Sequence, residues 1–451
     1  MVRSFWQKII FRGFCEKERC RRCAVIFMLT FGLIGFMLLG IPVALAIGSS
    51  ALFSAWMSSP PLPFTIYSQK MLFGLQNFLL VAIPLFILAA KLMNTAGITE
   101  RLFRFANTLV GFLPGGLGHA NVLASLIFAG MSGAAIVDAA GLGQIELTAM
   151  EKAGYDKEFS VAVTAASSTI GPIFPPSIPM VVFGFVSGVS VGRLFLGGVI
   201  PGVLMAGTMM LMVSWYAQKN NYPREPFPTL QIFFRNLKDA FLPLMAPVIL
   251  LGGIWSGLFT PTEASAVAVV YALIVGGLVY RELTWKDLKR IFIETTHDTA
   301  VIGFLVACAS FYGWILMRSG LTLKFAEFFL GISQNPMVIL LIINGFLLAI
   351  GCFLDTTVAI LILGPILMQV IIPLGIDPVH FGVMMVLNLM IGLLTPPFGV
   401  VLFVMVQVSG LKFDEVVKAC APFFIPLFGV LALITFVPEV VVFLPNLLMG
   451  K

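Results

Sequence analysis

Gly171-Pro172-Ile173-Phe174-Pro175-Pro176 and Gly392-Leu393-Leu394-Thr395-Pro396-Pro397 are one device written twice, 221 residues apart (392 − 171). Each lies inside an apolar stretch, and each is built to interrupt a helix. Proline removes a backbone donor and collides with the preceding turn. Glycine tolerates dihedrals that other residues avoid. Broken backbone at membrane depth survives only where protein buries it or where it lines a polar cavity. Paired interruptions in two halves of a chain are a sequence pointer to a transporter's binding site. A pair of loops at the membrane surface is the competing reading, although such loops have little need of two proline doublets at matched depth.

The match extends outward without a gap. Gly130 pairs with Gly351, Gly143 with Gly364, Gly154 with Gly375, Asp156 with Asp377 and Pro201 with Pro422. Upstream, with a small slip, Leu92-Met93-Asn94 resembles Leu316-Met317-Arg318, and Gly97-Ile98-Thr99 resembles Gly320-Leu321-Thr322. These identities fall on helix breakers, not on abundant Leu or Val. Four regions follow: a basic extension over 1–23, a first membrane repeat over 24–215, a polar connector over 216–239 and a second membrane repeat over 240–451.

Composition agrees. Of 451 residues, 59% are hydrophobic and 11% charged, against about 25% charged in soluble domains. So little polar surface cannot cover a globule in water, and lipid is the solvent for most of the chain. With roughly 20 apolar residues per span, length and hydropathy predict an all-α integral membrane protein of about 10–12 spans. The net charge of +6 sits in short segments between apolar stretches, as the positive-inside tendency requires; it does not indicate nucleic acid. The basic cluster before the first span predicts a cytoplasmic N-terminus, and Val25–Phe53 is too long for a cleaved signal peptide. Cys15, Cys20 and Cys23 have the C-x4-C-x2-C spacing of one iron–sulfur type but no fourth ligand nearby, and read better as part of a reduced basic arm. Cys308, Cys352 and Cys420 read as packing residues. No phosphate-cradling Gly-x-x-x-x-Gly-Lys is present, which argues against direct ATP coupling.

The oxygens around the breaks suit a hard cation. Ser132, after the small-residue run from Ala129, offers a hydroxyl. Unwound carbonyls from Gly171 to Ser177 supply ligands without a buried charge. In the second repeat Gly351, Gly392 and Thr395 take the equivalent places, so two pseudo-symmetric cation sites are expected. Small-residue helix packing is the competing reading for the run after Ala129. Charged side chains inside membrane stretches cost at least ~2.5–3.5 kcal/mol on insertion scales. That makes Arg318 a candidate to grip a carboxylate through two parallel bonds, and Asp355 a candidate to hold Arg318 or bind a cation. Arg318 also suits a helix end from which it reaches the interface. Asp138 has no clear assignment from the pattern, a helix cap being the plainest one. Asn94, Ser167, Thr356, Thr357 and Asn388 read first as helix–helix hydrogen bonds, with Thr356 and Asn388 retained as substrate-site candidates. Thr260-Pro261-Thr262-Glu263 predicts a capped helix start. His119, His297 and His380 lack metal-ligand spacing.

Together, Ala82–Phe86, Lys91–Asn94, Gly115–Leu117, Phe128–Gly133, Gly154-Tyr155, Gly171–Pro179, Phe259–Glu263, Gly375–Gly382 and Gly392–Pro397 resemble the large membrane subunit of tripartite ATP-independent periplasmic (TRAP) transporters. The resemblance covers nearly everything after Arg22. It implies a non-enzymatic secondary transporter in the bacterial inner membrane, multi-pass, with inverted repeats that each carry a re-entrant helical hairpin, in an elevator-type arrangement. It implies two partners, a small four-helix membrane subunit and a periplasmic substrate-binding protein. It implies import of an organic acid (dicarboxylate, keto acid, sialic acid or relative) with co-transported Na+. Carried over residue by residue, the sodium ligands would be Ala129, Ser132, Gly171, Phe174 and Pro175, then Gly351, Gly392, Thr395 and Phe398. The family's substrate-region arginine and aspartate would be Arg318 and Asp355.

Two departures stand out. Where the family commonly has Ser-Gly-Ser, this chain has Ser132-Gly133-Ala134, one hydroxyl fewer. Where it commonly has a hairpin proline, this chain has Thr148. The chain is also too short to carry the small subunit as a fusion. The runner-up is a stand-alone carrier of the related ion-transporter type. A channel or a membrane enzyme is a weaker alternative, the enzyme for want of an acid–base or metal constellation.

Overall fold

A computed structural model describes residues 25, 27–58 and 62–450. The basic extension, with Cys15, Cys20 and Cys23, lies outside the described residues. Among the described residues every regular element is helical. After a π-helical turn at Met28–Gly32, the helices are α1 (Leu33–Leu38), α2 (Val43–Trp56), α3 (Phe64–Leu75), α4 (Ala82–Thr95), α5 (Ile98–Val110), α6 (Gly116–Ser132), α7 (Ala135–Ala140), α8 (Leu142–Lys152), α9 (Lys157–Ser168), α10 (Ile178–Ser187) and α11 (Val191–Asn220). The second half supplies α12 (Leu230–Trp255), α13 (Pro261–Leu273), α14 (Trp285–Arg318), α15 (Leu321–Ile332), α16 (Pro336–Gly351), α17 (Thr356–Ile371), α18 (Pro378–Gly392), α19 (Val400–Ser409), α20 (Phe413–Cys420), α21 (Phe424–Phe436) and α22 (Glu439–Met449).

The helices repeat as the breakers do. Helix α6 answers to α16, α7 and α8 to α17, α9 to α18, α10 to α19, and α11 to α20 and α21. Among the described residues six segments are long and apolar enough to cross a bilayer: Phe78–Thr95, Val191–Asn220, Leu230–Trp255, Pro261–Val279, Trp285–Arg318 and Phe413–Phe436. The breaks divide the remaining apolar sequence into helices of 10–17 residues, so spans are not a simple tally of long helices. Large apolar side chains face outward, among them Leu38, Phe64 and Leu211, as lipid exposure allows.

The polar stretch 216–239 is shorter as a connector than its composition implies. Helix α11 runs to Asn220 and α12 starts at Leu230 behind the Thr229 cap, leaving 221–229 between them. Those residues are tied down. Tyr155 Oη donates to the Pro223 carbonyl at 2.9 Å, and Tyr222 Oη donates to Asp156 at 2.6 Å. Burial and then this acidic partner hold the Tyr222 phenol above its ordinary pKa. The start of α13 is a capping box, with Thr260 N–H donating to Glu263 at 2.8 Å and Glu263 N–H to Thr260 Oγ1 at 3.3 Å.

Two kinds of contact position the site. Within each repeat the helix before the hairpin packs on the helix leading into the proline break, α6 on α9 and α16 on α18. Between repeats the helices following the breaks are exchanged: α10 packs on α17, and α19 packs on α7. Gly364 of α17 makes room for Val186 in this way; a Cβ on that glycine would stand 3.0 Å from Val186 Cγ2. The exchange sets the two interruptions into one core.

Candidate functional site

The first break begins where α6 ends. Gly133 takes φ 63°, the left-handed region, and a Cβ there would stand 2.5 Å from the Pro176 carbonyl oxygen. Only glycine fits, for space and for dihedral. Ile178 N–H donates to the Gly133 carbonyl at 3.3 Å, joining the end of α6 to the Pro175-Pro176 turn. Among the described residues, no N–H beyond the helix reaches the carbonyls of Ala129, Gly130, Met131 or Ser132. Such terminal carbonyls need another partner. The Ser132 hydroxyl is buried, has no backbone partner among the described residues, and lies beside the carboxylate of Asp138.

Asp138 belongs to this same break. It does not cap α7, whose N-cap is Ala134. It is 2% exposed within the helix, and both carboxylate oxygens lack a hydrogen-bond partner among the described residues. A Cβ on Gly171 would collide with Asp138 Oδ2, so the carboxylate rests on the bare backbone of the proline turn, with Ser132 beside it. Glu146 of α8 is 1% exposed, and its Oε1 is likewise without a partner among the described residues. Buried, unpaired carboxylates cost several kcal/mol unless a cation or proton compensates. Of the remaining candidates here, Pro175 is buried, and Phe174 packs its ring on Gly202 of α11.

The second break is assembled differently. Gly351 ends α16 and Gly392 ends α18, and they touch backbone to backbone: a Cβ on Gly392 would lie 2.7 Å from Gly351 Cα. The equivalent of that contact is missing in the first repeat, where a Cβ on Gly130 would lie 2.6 Å from the Pro247 ring of α12. The end of α16 is closed by Phe353 and Leu354 N–H groups, both donating to Ile350 O at 2.9 Å. Thr395 Oγ1 donates to Ile391 O at 2.8 Å, which leaves the oxygen's lone pairs available. Phe398 is exposed, and its ring centre lies 5.9 Å from that of Phe353.

The substrate candidates are not gathered into one cluster. Asp355 is the N-cap of α17, accepting from Thr357 N–H at 2.9 Å. Among the described residues it makes no ion pair with Arg318, contrary to the pairing the sequence suggested. Arg318 is the exposed last residue of α14, and its Cζ stands 5.5 Å from the Trp314 ring centre. Helices α14 and α17 do pack together. Thr356 is buried, its hydroxyl without a partner among the described residues. Asn388 is fully buried and spends its amide on Asn344 of α16, at 2.7 Å to Oδ1 and 3.0 Å to O. Its repeat mate Ser167 donates to Asn121 of α6 at 2.8 Å. Both act as helix–helix hydrogen bonds at equivalent places. Asn94 likewise accepts from Thr99 at 3.0 Å.

The weight of Asp138 and the presence of Glu146 beside it were not evident from sequence. The one signal available was the cost of an ionisable residue between apolar helices, and it points to the acids of the hairpin as much as to Arg318 and Asp355.

A family model described as "Tripartite ATP-independent periplasmic transporter, DctM component" matches residues 30–440. The chain is 46% identical over 421 residues to the sialic acid TRAP transporter large permease protein SiaM of Vibrio cholerae, covering 93% of this chain and 98% of that one. It is 37% identical over 449 residues to the C4-dicarboxylate TRAP transporter large permease protein DctM of the same species, covering 95% and 98%. It is also 37% identical over 413 residues to the 2,3-diketo-L-gulonate TRAP transporter large permease protein YiaN of Escherichia coli, covering 91% and 96%. Among solved structures, the YdaH transporter of Alcanivorax borkumensis, described as having an unusual topology, superposes with a TM-score of 0.60 at 17% identity, covering 90% of this chain and 98% of that one. That likeness is one of fold.

Proposed function

This chain belongs to the DctM-component family of tripartite ATP-independent periplasmic transporters, and we propose that it is the large permease of a sodium-coupled, binding-protein-dependent importer of an organic acid. The observation that carries the reading is the pair of interlocked breaks, each presenting oxygen ligands where a bilayer-embedded protein otherwise satisfies every polar group. Sodium at the first break would meet Ser132 Oγ and the open carbonyls from Ala129 onward, with Gly171, Phe174 and Pro175 supplying backbone oxygens and Asp138 the counter-charge. Sodium at the second would meet carbonyls at Gly351, Gly392 and Phe398 and the hydroxyl of Thr395. Hard cations favour such oxygen sets. The acid would be held near Arg318, Asp355 and Thr356. Asn388, bonded to Asn344, would support that site from behind.

The two repeats would be inverted and would carry the cargo across as a rigid unit, in an elevator motion. The substrate would arrive on a periplasmic binding protein, with a small membrane subunit bracing the permease in the bacterial inner membrane. Identity is higher to the sialic acid relative than to the dicarboxylate and diketogulonate ones, so N-acetylneuraminate is the first cargo to try. The test is reconstitution of the large and small subunits in liposomes with the binding protein outside. Uptake of labelled N-acetylneuraminate, succinate or a keto acid should require an inward sodium gradient and the binding protein. Uptake by this chain alone would sink the tripartite reading, and uptake unaffected by collapsing the gradient would sink the coupling.

A further inference from the structure

A group of residues between α3 and the end of α14 is used by neither break. Helix α3 lies along α14. Tyr67 meets Phe311 edge-on with ring centres 4.9 Å apart, and Gly74 admits Ser310 so closely that a Cβ would collide with its hydroxyl oxygen. On this face sits Lys70, the one charged residue of α3. Its Nζ lies 5.2 Å from the Trp314 ring centre and 5.9 Å from that of Phe73. Arg318, one helical turn beyond Trp314, reaches the same indole at 5.5 Å.

Two cations therefore share one ring. Among the described residues neither has a carboxylate partner, a state they share with surface cations such as Lys152 and Lys324, but these two are brought onto one ring. A cation on an aromatic face gains about 0.5–1 kcal/mol where water reaches it, and the carbonyl end of α14 favours Arg318 by a similar amount. Neither effect explains a second cation. The two heads stand about a Debye length apart or closer, where like charges repel. Lys70 is half-buried, which strengthens the repulsion. An anion between them removes that cost. Arginine takes a carboxylate in a planar two-bond grip and lysine adds a movable point charge, while the indole offers a flat apolar floor for a carbon skeleton.

We propose that Lys70, Trp314 and Arg318 form a carboxylate-docking site on the path of the transported acid, with Lys70 as its second cation. The proposal rests on the organic-acid reading above. Anionic lipid headgroups present similar oxygens, and the experiment separates the two sources.

Binding of N-acetylneuraminate and of succinate to the purified complex of large and small subunits is measured for the wild type, Lys70→Gln and Lys70→Arg. Lys70→Gln should weaken binding about tenfold, the loss of about 1.4 kcal/mol. Lys70→Arg should restore most of it, with thermal stability in the absence of acid unchanged in both. In parallel, labelling of Lys70 by an amine-reactive reagent, read by mass spectrometry, should slow about tenfold when either acid is present. Slowing only with phosphatidylglycerol vesicles, and not with either acid, assigns the cations to lipid and overturns the proposal. Unchanged labelling and unchanged binding in Lys70→Gln, while wild-type uptake proceeds, overturn it and leave the organic-acid reading standing. Wild-type protein that neither binds nor transports any organic acid overturns both.

Discussion

The two breaks share a backbone device and differ in what leans on it. In the first repeat a buried carboxylate, Asp138, rests on Gly171, and the end of α6 is left open. In the second, Gly392 meets Gly351 backbone to backbone, and the end of α16 is closed by its own turn. The first break is sealed in protein apart from Phe174, whereas Pro397 and Phe398 of the second are exposed. A cation at the first break can therefore be neutralised by a side chain in a dry setting. At the second it must rely on neutral oxygens closer to the outside. Internal repetition preserved the interruption, where only glycine and proline serve, and left the charge free to diverge.

Gly133→Ala should have the largest effect and test whether the first break depends on its left-handed residue. The substitution brings backbone strain together with a clash against the Pro176 carbonyl, which cannot swing away as a side chain would. A loss of about 3 kcal/mol or more is expected, read as failure to purify a monodisperse complex or as a fall in melting temperature of several degrees. The repeat mate, Leu354, has no left-handed backbone, and Leu354→Ala should be mild. Equal damage at the two positions would break the comparison.

The next effect separates the glycine contacts. Alanine at Gly171 meets a carboxylate, and alanine at Gly392 meets backbone. Gly171→Ala should be relieved by adding Asp138→Ala, with a coupling of about 1–3 kcal/mol in a double-mutant cycle on thermal stability. Gly392→Ala has no side chain to remove and should resist rescue by truncating Leu389, which lines Gly351. Additive losses for Gly171→Ala and Asp138→Ala would mean that the carboxylate does not rest on the turn in the membrane.

These asymmetries mark where sequence stops informing. Prolines and glycines at constant spacing were legible because their chemistry is local: each alters the backbone at its own position. The repeat, the breaks, the capped start at Thr260 and the bridging roles of Ser167 and Asn388 followed from that kind of reasoning. What a side chain rests on is tertiary. Gly130 and Gly351 align yet face Pro247 and Gly392 respectively. Asp138 looked like a cap because carboxylates often cap helices, and only the fold shows it buried above Gly171. For Asp355 the sequence offers two roles, holding Arg318 or binding a cation, and the fold gives each residue a different neighbour, Trp314 for Arg318 and the first turn of α17 for Asp355.

The smallest effect bears on the cation itself. Ser132 Oγ has no backbone partner among the described residues, and the polar group beside it is the Asp138 carboxylate. Thr395 Oγ1 already donates to Ile391 O and offers only its lone pairs. Ser132→Ala removes a ligand and spares the packing, since alanine fits the same small space. Thr395→Val keeps the shape and removes only the hydroxyl, because Leu394 N–H still donates to the Ile391 carbonyl at 3.1 Å. If both hydroxyls bind sodium, the sodium concentration for half-maximal uptake should rise about tenfold in Ser132→Ala and about threefold in Thr395→Val. The half-saturating acid concentration at saturating sodium should hardly move. The ordering matters more than the size: the first break pairs its hydroxyl with a buried carboxylate, so losing that hydroxyl acts on the more strongly held ion. A larger rise in Thr395→Val would place the tighter sodium at the neutral, more exposed break, and would reverse the division of labour argued from Asp138.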